Sequence, residues 1–238
     1  DVSVPGWEAV SPVLSGVQGF SEVWKMCRTL QKMGVYMAED DLNCSFHVHV
    51  GADDLNGENI ARLILLHYHM ENNTDSLLRC VAPFRRTCKY CKQTHKWLLN
   101  IAREGPLDLE RVRSMAKGWK ALGTFANTEY LSLNLFGSCE KFGTMEFRRH
   151  GGTIQFQEAL SWILLCLFMA SASGSVGRHN YPRNLHDAFK DLGMFSNGAL
   201  AEWAALYLLA RSRYFSGLPA DYPPFNENWL EEEELVAK

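Results

Sequence analysis

The sequence predicts an α+β fold with helices packed on one face of a mainly antiparallel sheet. Three observations carry this. Apolar residues recurring every three or four positions alternate along the chain with period-two strand patterns. Two strand-like runs, Tyr130–Phe136 and Gly143–His150, are close enough to pair as a hairpin late in the chain. With 238 residues, 47% of them hydrophobic, the chain can bury a sizeable core in one large domain or two small ones.

The elements follow in order. Val2–Val10 reads as a strand. Gly19 to Met33 reads as a helix, because Phe20, Val23, Trp24, Cys27 and Leu30 fall on one face and Gly34 can close it. Asn43–Val50 is a second strand. Asn56 is placed to cap a helix running to His69, with Ile60, Leu63, Ile64 and His67 on its apolar face. Thr74 can cap a short helix that must end before Pro83. Asp108 to Leu122 is a further helix, followed by the predicted hairpin with its loop at Gly137–Lys141.

Thr153 then caps a core helix drawn from the longest uncharged stretch, Ala159 to Gly177. That run ends in small and polar residues, Ser171 to Ser175, and predicts a buried helix rather than the ~20-residue apolar span a membrane requires. Helices near Asn184–Leu192 and Asn197–Arg211 follow. The tail, with Pro219, Pro223, Pro224 and Glu231–Glu234, predicts a surface wrap or frayed end.

Charge and cysteine content narrow the partners. Acidic residues (27) exceed basic ones (24), so no domain-wide basic surface predicts a nucleic-acid partner. One basic cluster, Arg85, Arg86, Lys89, Lys92 and Lys96, is either a phosphate-facing patch or a solvated helix face. The seven cysteines are scattered, several in apolar runs, which fits thiols in a reducing, cytoplasmic compartment. No secretory leader is visible, and the absence of an initial methionine suggests a fragment or processed product. Cys80, Cys88, Cys91 and His95 form C-x7-C-x2-C-x3-H, a candidate zinc knuckle.

Two strands carry ionisable residues where a core strand would carry apolar ones. CSFHVHVG sets His47 and His49 at i, i+2, and TMEFRRHGGT sets Glu146, Arg148 and His150 at the same spacing. Alternate side chains share a face, so each set points one way. Such groups need hydrogen bonds, counter-charges or metal. Imidazole and carboxylate are ligands for divalent ions, and arginine suits a phosphate or carboxylate. A bland reading stands beside this, of hydrogen-bonded histidines and a cross-strand ion pair. The spacing predicts that His47, His49, Glu146 and Arg148 converge on one pocket.

Together, DVSVPGWEAVSPVLSG, CSFHVHVG, PFRRTCKYCK, TEYLSLNLFG and TMEFRRHGGT resemble the amidoligase family, in the glutamate–cysteine ligase-like branch of the glutamine synthetase-type carboxylate–amine ligases. The resemblance covers about residues 1 to 175. It implies a glutamine synthetase-like catalytic domain, here 1–215 with a tail at 216–238. Its curved sheet would hold ATP and Mg2+ or Mn2+ on a concave face.

Residue by residue, the resemblance implies that Asp1, Glu8, His47, His49 and Glu146 are metal ligands, without settling which histidine binds. Arg148 would contact phosphate, and Arg86 and His150 would help hold the nucleotide. Arg85 and Arg86, with Cys91, match a segment expected to touch substrate or nucleotide. The reaction implied is activation of a carboxylate as an acyl phosphate, followed by attack of an amine, with peptides or proteins among the candidate substrates. Glu146→Gln would hold or raise stability if Glu146 is a metal ligand among crowded carboxylates, and would lower it modestly if Glu146 only pairs with an arginine.

Ligases of this type use a further ExE-bearing strand upstream of the point where this chain begins. Either that strand lies on another piece of chain or this protein lacks it, and the second case gives the alternative, a non-catalytic domain serving as a structural or interaction module of a larger assembly. No membrane partner is expected.

Overall fold

In the computed structural model, residues 8–35, 37, 44–52, 54–55, 57–72, 77–93, 131–134, 142–172 and 184–230 are described. Among them are helices α1 (Gly16–Lys32), α2 (Gly57–Asn72), α3 (Phe156–Ala172), α4 (Leu185–Asp191) and α5 (Ala199–Tyr214), and strands β1 (Ser45–Gly51), β2 (Leu133–Asn134) and β3 (Thr144–Gly151). The α+β class is as expected. The described sheet has three antiparallel strands in the order β1–β3–β2, too few to display the curved sheet that the resemblance implies.

The helices form where the apolar periodicity places them. In α1, Val17, Phe20, Val23 and Cys27 are buried, and Gly34, at φ 73°, lets the chain turn so that Val35 N–H reaches the Leu30 carbonyl at 3.1 Å. In α2 the predicted face of Ile60, Leu63, Ile64 and His67 is buried throughout. Helix α3 is buried on nearly every side. Trp162, Leu165, Cys166 and Met169 have almost no exposure, while Leu167 is 36% exposed. Among the described residues no helix is long and apolar enough to cross a membrane.

Before α3, Thr153 Oγ1 accepts from the Gln155 amide at 3.1 Å and donates to Glu158 at 3.0 Å, so it turns the chain ahead of the helix, but the cap position is Gln155, whose carbonyl accepts from Ala159, and not the expected Thr153. Asn184 caps α4 by accepting from the Asp187 amide at 2.8 Å.

Strand β3 is the centre of the sheet. Its Met145 and Phe147 join the core that α2 and α3 supply, so one sheet face is backed by helices. Helix α5 packs on α3. Beyond it the chain wraps back: the Trp203 indole donates to the Pro223 carbonyl at 3.2 Å, Phe225 meets Phe156 and Trp203, and Ser21 Oγ donates to the Leu230 carbonyl at 3.1 Å.

Several expectations change. Residues 8–10 lie in no strand, and Val2–Trp7 are outside the described residues, as are Asn56, Thr74, the 108–122 helix and the 137–141 loop. A 3-10 turn at Leu77–Cys80 occupies the described part of the predicted short helix, and a second turn, Pro83–Arg86, starts at the proline. The basic cluster is therefore not a helix face. Arg85 and Arg86 sit on the second turn, Lys89 and Lys92 are exposed beyond it, and Lys96 is outside the described residues.

Candidate active site

Glu146 is the centre of the polar face of the sheet. Across the two ladders its backbone neighbours are His49 on β1 and Asn134 on β2. Alternation turns His47, His49, Glu146 and Arg148 to the same side. Both carboxylate oxygens are engaged. Oε1 accepts from Arg148 Nη1 at 2.9 Å, lies 3.0 Å from His47 Nδ1 and 3.7 Å from His49 Nε2, while Oε2 accepts from the Asn134 amide at 2.8 Å. The four residues predicted to converge do so.

The electrostatics follow from these contacts. Burial favours the neutral acid at Glu146, yet the His47 hydrogen bond, the Arg148 charge and the Asn134 amide hold it down to about 2. Glu146 is thus ionised at any physiological pH. His49 is pushed below the usual imidazole range, chiefly by burial and also by His47 and Arg148, against the pull of Glu146 and Glu8. Its Nδ1 lies 2.9 Å from Thr144 Oγ1, and its ring meets Phe142 edge-on. His47 turns Nδ1 to the carboxylate and has its Nε2 on the far side of the ring.

His47, His49 and Glu146 are residue types that can bind divalent ions, and Glu8 is near enough to act on His49. The arrangement itself is a closed hydrogen-bonded cluster. Among the described residues no three His, Cys, Asp or Glu side chains stand ready to hold a metal. Asp1 is outside the described residues, and Glu8 is exposed.

Three predicted site residues sit elsewhere. The register changes between Phe46, opposite His150, and Val48, opposite Phe147, so Arg148 and Arg149 together oppose the single His47. This is a β-bulge, which places successive side chains out of strict alternation. His150 consequently leaves the Glu146 face. It is buried against Trp162 of α3 and Phe46, with Nε2 3.5 Å from Glu158, and burial pushes its imidazole down to about 4. Arg85 is buried too, donating Nη2 to the Arg148 carbonyl at 2.7 Å and Nε to the Arg149 carbonyl at 3.3 Å. Arg86 donates Nε to the Leu78 carbonyl at 2.9 Å. A ligand would have to displace the two carbonyls that Arg85 serves, whereas Arg86 has its Nη2 buried without a hydrogen-bond partner among the described residues.

Behind the sheet lies a network that the sequence reading did not single out. Arg149 Nη2 pairs with Glu71 of α2, which also accepts from Ser132 Oγ at 2.6 Å and lies 3.6 Å from His67. Burial opposes ionisation of Glu71, but Arg149, His67 and Ser132 hold its carboxyl below the usual range. A further pair, Arg211–Glu158 at 2.7 Å, joins α5 to α3 beside His150. The available signal was an acidic residue four positions after a histidine on the apolar face of α2.

The zinc reading fares poorly. Among the described residues no three His, Cys, Asp or Glu side chains group as a zinc site needs, and Cys80, Cys88 and Cys91 are buried thiols. His95 is outside the described residues.

Comparison with known families supplies the deciding observation. Residues 3–170 match the family model described as "Putative amidoligase enzyme", most of the chain and every strand of the sheet. The chain belongs to this amidoligase family. No curated protein and no solved structure matches it. Membership supports a ligase-type enzyme, and the Glu146 cluster lies within the matched segment of this amidoligase.

Proposed function

We propose that this chain is an ATP- and divalent-metal-dependent carboxylate–amine ligase on a glutamine synthetase-like scaffold. The observation that carries the reading is the ionised Glu146 flanked by His47, His49 and Arg148 on the central strand of a family member. His47, His49 and Glu146, with Glu8 and Asp1, would hold magnesium or manganese, which neutralises charge on phosphate oxygens. Arg148 would bind the transferred phosphoryl group, exchanging its Glu146 contact for phosphate oxygens.

The substrates are a carboxylate, activated as an acyl phosphate, and an amine that attacks it. Peptides and proteins are candidate substrates. The buried thiols suit a reducing, cytoplasmic setting.

A non-catalytic module of a larger assembly is the second reading. It is favoured by both oxygens of Glu146 being engaged within the protein. One experiment separates the two. Thermal stabilisation by ATP that requires magnesium, with amine-dependent ADP release over a panel of carboxylates, supports the ligase. ATP binding that ignores magnesium, or none, supports the module.

A further inference from the structure

We infer that Arg85 and Arg149 form a reciprocal clamp on the β3 bulge and act as positioning residues for Arg148, an inference that takes its functional meaning from the ligase reading. The bulge sets Arg148 and Arg149 opposite one residue of β1, which disrupts the local ladder and leaves carbonyls in need of other donors. Arg85 meets that need with one fork: Nη2 donates to the Arg148 carbonyl at 2.7 Å and Nε to the Arg149 carbonyl at 3.3 Å. Arg149 answers by donating Nη1 to the Arg85 carbonyl at 3.3 Å, while its Nη2 is held by Glu71.

Two features separate this clamp from ordinary core filling. Both arginines have at most 1% exposure and a buried arginine stays charged, yet it is Arg149 that meets a carboxylate, that of Glu71, while Arg85 is spent on backbone carbonyls. Apolar side chains would fill the same space without that desolvation cost. The clamp also grips the two backbone units that decide direction. On one side of the bulge Arg148 turns to Glu146; on the other His150 turns to Trp162. Arg148 N–H is fixed by the carbonyl of Ser132, just before β2, at 2.8 Å, so Arg85 completes the hold on a residue whose side chain reaches the polar face. A lysine cannot reproduce this, because it presents one point donor group where two carbonyls lie along a planar fork.

The test is Arg85→Lys, which keeps the charge and loses the fork. A crystal structure of the variant is expected to show Arg148 out of hydrogen-bond reach of Glu146 on an otherwise retained fold. Magnesium–ATP affinity is expected to fall at least tenfold, with Arg85→Lys/Arg148→Lys no weaker than Arg148→Lys alone. An intact Arg148–Glu146 contact in Arg85→Lys, or an additive double variant, overturns the inference. If wild type binds no magnesium–ATP, the ligase reading fails, and the crystal structure still decides the clamp. Should Arg85→Lys not fold, hydrogen exchange of the wild-type Arg85 Nε–H decides instead. Exchange only through global unfolding supports the clamp, and exchange as fast as that of a surface arginine overturns it.

Discussion

Asn134 and His49 stand on opposite neighbours of β3 and are both aligned with Glu146 in the ladder, so one carboxylate is gripped from both edges of the sheet. Asn134 holds Oε2, and the histidines and Arg148 address Oε1. The described cluster contains one buried carboxylate, not several. Of the two expectations for Glu146→Gln, these contacts favour the modest loss that comes with an arginine pair. The variant loses the partner of a part-buried arginine, and denaturant unfolding is expected to show a loss of about 1–3 kcal/mol. Under the ligase reading magnesium-dependent nucleotide affinity falls as well, measured by titration with and without magnesium.

Acid should weaken the fold in two steps. His150 is lowered from 6.5 to about 4, so the unfolded chain binds its proton first and stability falls as pH drops from 6.5 toward 4. Glu146 is lowered from 4.5 to about 2, so its contribution is present above pH 4.5 and is lost as pH falls toward 2. Each is worth roughly 3 kcal/mol. Melting temperature against pH should bend near 6.5, and His150→Phe, which keeps a ring against Trp162, should shrink the upper step without abolishing it, because burial also lowers His69 to about 4.

Removing one partner of the buried pair should cost far more than breaking an exposed one. Glu71→Gln leaves Arg149 without its carboxylate, and equilibrium unfolding should report a loss of about 3–5 kcal/mol. Glu22→Gln breaks the exposed Lys25–Glu22 pair and should leave the unfolding midpoint nearly unchanged.

The thiols give a chemical check. Burial keeps Cys80, Cys91 and Cys166 protonated. A disulfide reagent should leave these three unmodified in the native protein and modify them on unfolding, as read by mass spectrometry of digested chains. Metal analysis should find no stoichiometric zinc.

Much of this was legible in the residues, for physical reasons. The faces of α1 and α2 follow from apolar side chains recurring at helical spacing, and the convergence of His47, His49, Glu146 and Arg148 from the strand period of two. The fate of His150 was not legible. A bulge has no residue signature when it falls on two long cations such as Arg148 and Arg149, yet one extra residue reverses every later side chain. The Arg149–Glu71 pair escaped because its members are far apart in sequence and ordinary in type. Arg85 looked like a ligand contact because its burial depends on a turn and a strand meeting in space, which no local pattern encodes.

The match to residues 3–170 ends inside α3, but the molecule does not divide there. Trp203, Ala204 and Leu208 of α5 are buried in the same core as α3, and Arg211 donates Nε to the Cys80 carbonyl at 3.2 Å while pairing with Glu158. A chain shortened to the matched segment would expose that seam to solvent and should collect in inclusion bodies. A protease nick placed between the two helices should instead leave both halves comigrating on a sizing column.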